Sequence, residues 1–285
     1  YAYDARNQLR FTVDALGYVV ENRYDAQGQL VSSLQHARAI NPNSATTEQD
    51  IVTALTYQTM WSNDLSSLSG LTISGSSASV SNENGRLVFT NTAGADTWPS
   101  MMSTATYPFQ AGLLFRGEVT TGSPLTERFL FGIENTGSGT AYRRHTLDIC
   151  DGYLCASVGN ASGITRPTLG AAKTNTTYVV EIETTATGTV LFVYEKGKDR
   201  ASGWVSRLDA TGWGDIRIRA YTWQYPTLTG TKAYLDNLSV SKQIPAADSS
   251  ANTTRSVYSK DGRLRFSIDA AGYVTENKYD ANGRI

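Results

Sequence analysis

Four side chains in one short stretch could meet a ligand together. From Asp215 to Trp223 the residues alternate, with Ile216, Ile218 and Ala220 on one side and Arg217, Arg219, Tyr221 and Trp223 on the other, as successive side chains of a strand do. Two guanidinium groups beside two aromatic rings suit a sugar chain. Rings stack on the apolar faces of sugars, while arginine offers forked donors to hydroxyls or to a carboxylate. Tyr225 extends the set, and Trp98, Trp204 or Trp213 could join it from loops. The competing reading is an ordinary outer sheet face whose arginines pair with cross-strand carboxylates such as Glu181 and Glu183.

Acid and base chemistry has two candidates. Glu181 and Glu183 lie two residues apart, which on a strand is roughly 6 to 7 Å, within the range of paired glycosidase carboxylates. Against this, Tyr178, Val180 and Ile182 alternate with them, which fits a strand with its glutamates towards solvent. His145, beside Arg143 and Arg144, is the sole candidate for the base of a polysaccharide lyase,. A hydrogen-bonded or exposed histidine is the competing account. Neither candidate completes a catalytic constellation, so no enzyme is expected.

Cys150 and Cys155 are the only cysteines, and they flank Asp-Gly-Tyr-Leu. A four-residue hairpin loop there would set them face to face and predicts a disulfide, in keeping with an oxidising compartment. Two buried thiols are the alternative. A zinc site does not fit, because two thiolates lack a neighbouring His or Cys to complete the shell.

The elements that must position these residues follow from composition and turn signals. The chain has 285 residues, 40% of them hydrophobic and 18% charged, with a net charge of −1 and a pI near 6.2. That balance provides no field to attract nucleic acid, and no segment is long and apolar enough to cross a membrane. Abundant Thr, Ser, Gly, Asn and Tyr suit strands and tight turns, and favour a secreted or cell-surface setting. The chain starts at Tyr1 without Met and stops within a repeat at Ile285, which reads as a piece of a larger protein,.

That repeat is the clearest signal. Tyr3 to Leu30 aligns with Tyr258 to Ile285 at 15 identities in 28 positions, so one structural unit occurs twice. Asp-Ala-x-Gly tetrads recur as Asp14–Gly17 and Asp25–Gly28, with Asp4–Asn7 as a variant. In each the Asp can bond the backbone two residues on and the Gly takes a positive φ, which predicts strand, turn, strand, turn. Tyr3-Asp4, Tyr24-Asp25-Ala-Gln-Gly and Tyr279-Asp280-Ala-Asn-Gly resemble the YD repeats of RHS-type proteins. The resemblance implies segments of a long β-sheet with no catalytic residues of their own, in a large bacterial surface or secreted protein. Tyr258-Ser259 departs from the pattern by losing the Asp.

Residues 1–34 and 255–285 are thus the repeats. Residues 35–59 form a connector with a short helix from Thr46 to Leu55, capped by Ser44 or a nearby Thr. Residues 60–243 contain at least nine short alternating segments and no helix, which predicts an all-β, antiparallel β-sandwich inserted between repeat hairpins. Residues 244–254 form a polar linker.

Trp61-Ser-Asn-Asp-Leu65, Asn84–Phe89 and Tyr234–Val240 resemble the terminal strands of concanavalin-A-like (laminin-G-like) jelly rolls and carbohydrate-binding modules. The resemblance implies non-catalytic polysaccharide binding and a calcium ion shared by Asp64 and Asp236. Two carboxylates need added backbone carbonyls to hold calcium, and turn capping is the alternative for both. A spacer or protein-adhesion domain, or a jelly-roll hydrolase or lyase, are the rival functions.

Overall fold

The computed structural model describes residues 1–41, 47–75, 79–92, 98–125, 129–137, 142–160, 163–222, 229–244 and 253–285. The chain divides into two compact units, one of Tyr1–Gln58 with Ile244–Ile285 and one of Thr59–Gln243. In chain order the structure begins with β1 (Ala2–Tyr3), β2 (Leu9–Val13), β3 (Val19–Tyr24), β4 (Leu30–Gln35) and helix α1 (Glu48–Thr56). There follow β5 (Tyr57–Asn63), β6 (Leu71–Ser74), β7 (Val80–Glu83), β8 (Arg86–Thr90), β9 (Ser100–Ser103), β10 (Tyr107–Pro108) and β11 (Leu113–Thr121). Next come β12 (Phe129–Asn135), β13 (Arg144–Cys150), β14 (Tyr153–Asn160), β15 (Gly163–Thr165), β16 (Thr168–Ala171), β17 (Thr177–Thr184) and β18 (Gly188–Glu195). The chain ends with β19 (Trp204–Asp209), β20 (Asp215–Thr222), β21 (Lys232–Gln243), β22 (Thr253–Tyr258), β23 (Leu264–Ile268) and β24 (Val274–Glu276).

The first unit is a seven-stranded antiparallel sheet in the order β1-β2-β3-β4-β22-β23-β24, so the two sequence repeats meet where Leu34 pairs with Thr253. Its turns work by one mechanism. Asp14 Oδ1 accepts from the amides of Leu16 and Tyr18 at 2.9 Å each, and Gly17 takes φ +87°. Asp4, Asp25, Asp269 and Asp280 repeat this geometry, with Asn7 at φ 61° standing in for Gly after Asp4. A carboxylate that binds two turn amides leaves the chain one compact way to reverse. Helix α1 starts at a capping box between Thr47 and Asp50. Ser44, the other expected cap, lies outside the described residues. Ile51 is buried, and Val52, Ala54 and Leu55 pack with it against Ala2, Phe11, Val19 and Ile40.

The second unit is an antiparallel β-sandwich in which the chain crosses repeatedly between two sheets, the jelly-roll arrangement. One sheet runs β15-β14-β13-β12-β20-β9-β6, with β10 on β20 and β16 on β14; the other runs β19-β18-β17-β11-β21-β8-β7, with β5 on β21. The alternating segments legible in the sequence, 86–90, 112–119, 128–134, 144–150, 154–158, 178–183, 190–195, 215–221 and 233–241, are strands within two residues at each end. Further strands, among them β6, β9, β15, β16 and β19, are short, three to six residues each. Phe89, Phe115, Phe129, Phe131, Leu147, Ile216 and Ile218 fill the space between the sheets.

Gly117 on β11 shows how tight this core is. A Cβ there would stand 2.3 Å from Phe131 Cζ and 3.0 Å from Leu238 Cδ2. Close packing leaves no volume for it. Gly117→Val is therefore expected to destabilise the sandwich by about 1 to 3 kcal/mol, read as a lower urea midpoint with an unchanged m-value. A variant as stable as the parent would show that this layer can relax.

Candidate functional site on the outer face of the nine-stranded sheet

The alternation on β20 holds. Ile216, Ile218 and Ala220 are fully buried between the sheets, and Arg217, Arg219 and Tyr221 point to the opposite, outer face. Trp223 and Tyr225 lie outside the described residues. Trp98 joins the face from the segment before β9, with its ring centroid 5.6 Å from that of Tyr221. It is 43% exposed, so an aromatic surface remains open to solvent. Arg219 lies over the Tyr221 ring at 4.9 Å.

The arginines do not pair with Glu181 or Glu183, which belong to the other sheet. Their partner is Glu134 on β12, which sits beside Arg217 in the ladder. Arg217 donates from Nε and Nη2 to Glu134 Oε1 at 3.1 and 2.9 Å, and Arg219 donates from Nη1 to Oε2 at 2.6 Å. Tyr142 also donates to Oε2, at 2.9 Å. Burial, with Glu134 adding to it, pushes the Tyr142 phenol up to about 12, so it remains a donor at neutral pH.

A second charged layer lies beside the first. On β13, Arg144, Thr146 and Asp148 occupy alternate positions of the same face and are 4%, 2% and 0% exposed. Arg144 donates to the Tyr221 hydroxyl and, at 2.6 Å, to Ser157 Oγ. Gly159 lies opposite Arg144, where a Cβ would come within 3.0 Å of Arg144 Cγ. Asp148 accepts from Arg166 Nε at 2.9 Å. Thr146 Oγ1, Arg144 Nε and Arg219 Nε have no hydrogen-bond partner within the protein. The face therefore sets four guanidinium groups, on Arg144, Arg166, Arg217 and Arg219, against the buried carboxylates of Glu134 and Asp148 and the exposed one of Asp215 at the start of β20. Its local charge is positive in a chain whose net charge is −1.

The cysteines are joined, with Cα atoms 6.5 Å apart. The loop differs from expectation. Cys150 pairs with Tyr153, which leaves a two-residue turn at Asp151 and Gly152, both at positive φ. Cys155 instead faces Asp148, so the bridge runs diagonally across the hairpin on the outer face, as neighbouring strands permit.

Other candidates have structural roles. His145 is fully buried on the opposite side of β13, with Nδ1 2.8 Å from Thr189 Oγ1 and Nε2 3.1 Å from Ser206 Oγ. Burial lowers its pKa to about 3. Glu181 is 1% exposed rather than solvent-facing. Arg116 Nε and Arg200 Nε stand 3.5 and 3.2 Å from its oxygens, and Tyr194 donates to it at 3.2 Å. Burial nonetheless raises its pKa above the ordinary carboxylate value. Glu183 accepts from Arg200 Nη2 at 2.7 Å. Trp213 is buried, stacked on Phe109, and Trp204 packs against the core.

For calcium, each proposed ligand is engaged locally. Asp64 Oδ1 accepts from Ser66 N at 3.0 Å and Ser66 Oγ at 2.7 Å, which is the turn-capping role. Asp236 accepts from Asn237 N at 2.8 Å and lies 3.7 Å from Arg86 Nε. Among the described residues no three His, Cys, Asp or Glu side chains gather into a metal-holding group. Asp64 and Asp236 alone do not fit a calcium shell.

No protein family and no curated relative matches the sequence. Solved structures do align with it. One is a glycosyl hydrolase family 16 protein from Mycobacterium smegmatis, 12% identical, covering 64% of this chain and 100% of that one with a TM-score of 0.46. Another is the CBM2 module of the evolved Dit protein of Lactobacillus casei BL23 phage J-1, 14% identical over 67% and 98%, with a TM-score of 0.48. A third is the Emp47p carbohydrate recognition domain, 10% identical over 67% and 99%, with a TM-score of 0.49.

Two outcomes follow from this geometry. His145 binds protons in the unfolded chain below pH 6.5 but in the folded chain only near pH 3. Stability is therefore lost as pH falls through that window, by up to about 1.4 kcal/mol per pH unit. Urea unfolding at pH 7 and pH 4 should show a smaller acid loss for His145→Gln than for the parent; equal losses would refute the assignment. Glu134→Gln should lower stability by about 1 to 3 kcal/mol, because it deprives buried charged donors of their acceptor, and an unchanged urea midpoint would contradict the shared-carboxylate reading.

Proposed function

We propose that the sandwich is a non-catalytic module that binds an acidic polysaccharide on the outer face of its nine-stranded sheet. The observation that carries this is the excess of guanidinium groups beside the exposed Trp98 ring, which lies against the buried Tyr221. Stacking accommodates any sugar ring, whereas the positive excess selects one bearing a carboxylate. Arg217 and Arg219 are positioned rigidly by Glu134, so little side-chain entropy is lost when a ligand is bound.

Two features favour binding over cleavage. Glu134, the carboxylate nearest Asp215, already accepts from Arg217, Arg219 and Tyr142, and the two buried carboxylates of this face, Glu134 and Asp148, are four ladder positions apart, since Leu130 is the residue opposite Asp148. That spacing is about 13 Å along the strands, beyond the roughly 5 to 10 Å of glycosidase pairs. His145 faces the interior, away from any ligand on this face.

The parent protein is a secreted or cell-surface protein of YD-repeat type in this reading, and the module tethers it to a cell wall or glycan. The disulfide supports an oxidising location, and the Asp-anchored turns of the first unit support the repeat assignment.

Affinity electrophoresis through gels containing polygalacturonate, alginate or neutral β-glucan, with and without calcium, tests the proposal. Retardation by a polyuronate that weakens with salt and is lost in a Trp98→Ala, Arg219→Ala double variant is expected. No retardation in any gel, or the same retardation in the variant, would leave the spacer or protein-adhesion reading. Release of reducing ends or unsaturated uronates would replace binding with cleavage.

A further inference from the structure

The duplication in the first unit provides an internal comparison independent of the sugar-binding reading. The two copies are built alike. Asn22 Nδ2 and the Tyr24 hydroxyl donate to Leu9 O at 3.1 and 2.9 Å, and Asn277 Nδ2 and the Tyr279 hydroxyl donate to Leu264 O at 3.1 and 2.8 Å. Arg10 lies over the Phe11 ring at 5.1 Å and Arg265 over Phe266 at 5.3 Å. The copies differ in cover. In the first, Ala2, Phe11, Val19 and Glu21 are 6%, 1%, 0% and 6% exposed. At the matching positions of the second, Val257 and Val274 are 46% and 61% exposed, Glu276 is exposed as well, and Phe266 is half-buried.

The cover of the first copy has a defined chemistry. Ile51 at the centre of α1 and Ile40 before it seal the face, and Val52 and Leu55 extend the apolar side. The helix is oriented by charge, because Arg10 donates to Glu48 in its first turn. Ile40 N donates to Gly17 O at 2.8 Å, and a Cβ on Gly17 would collide with Ile40 O at 1.9 Å. In the second copy Gly272 keeps the same positive φ with nothing within 4 Å of its Cβ position. Arg265 approaches Glu276 at 3.9 Å, with its side chain 59% exposed.

We propose that the face formed by Val257, Phe266 and Val274 is a docking site for a short amphipathic helix of the α1 type. The occupant has an acidic first turn that meets Arg265 and an Ile/Val/Leu stripe that covers Val274 and Phe266. The copies are identical at Arg10/Arg265, Phe11/Phe266, Gly17/Gly272 and Val19/Val274, and the other two positions that α1 meets in the first copy, Ala2 and Val13, become the apolar Val257 and Ile268. An apolar face completed by one cation accepts a helix in a single orientation.

The test adds a labelled peptide of residues 36–58 to the intact chain and follows fluorescence anisotropy. Saturable binding is expected, weakened at least tenfold by Val274→Asp and by Arg265→Glu. Both positions are exposed, so circular dichroism should be unchanged. A Glu48→Lys peptide should recover binding to the Arg265→Glu chain. Absence of binding overturns the proposal. Binding that survives Val274→Asp also overturns it, because the peptide then exchanges with the chain's own helix on the first copy. Sedimentation showing that chains associate through this face without peptide assigns a second copy as the occupant and overturns it likewise.

Discussion

A carboxylate withdrawn from water must find donors within the protein, and Glu134 is the clearest case in this chain. At 2% exposure it receives two arginines and a tyrosine. An unanswered charge at such a depth would cost several kcal/mol. The consequence reaches well beyond the pair. Because both arginines are tied to one carboxylate, the outer face of β20 becomes a fixed array of donors. Tyr221, held by Arg144 and flanked by Trp98, then stands at a set distance from that array.

The same division of labour shapes the whole sandwich. Inward residues of β12, β13 and β20 are apolar apart from His145, and interlock with the second sheet. Among the outward residues of those strands, Glu134, Arg144 and Asp148 are charged yet equally buried, covered by the partly exposed Arg217, Arg219 and Arg166. The second sheet does likewise with Glu181, Arg116 and Arg200, where Arg200 also lies over the Phe192 ring at 3.5 Å. Both outer faces are thus ionic lattices. The one on the nine-stranded sheet carries surplus cations and the exposed Trp98 ring, which separates a recognition surface from structural packing.

How far the sequence disclosed this depends on the range of the interaction. Arg217, Arg219 and Tyr221 were legible as one face because strand alternation is local. Glu134 as their partner was not, because cross-strand register is decided by packing of segments more than eighty residues apart. Arg144, Thr146 and Asp148 did carry a visible signal, polar residues alternating with His, Leu and Ile, yet their relation to Tyr221 depends on β12 lying between them. The cysteine pair was legible as a bridge while its turn was not, since a diagonal pairing and a facing pairing have the same sequence spacing. The Asp-x-x-Gly turns of the first unit were fully readable, being complete within five residues.

The pairing of Leu34 with Thr253 also bears on the order in which the molecule assembles. Bringing these residues together in an unstructured chain costs roughly 5 kcal/mol of loop-closure entropy for the ~220 residues between them. Within that segment β5 at the beginning pairs with β21 at the end. A folded sandwich therefore shortens the effective loop, and chain entropy favours its completion before the outer strands join. On chain entropy alone, the two halves of the seven-stranded sheet join at lower cost once the insertion has closed.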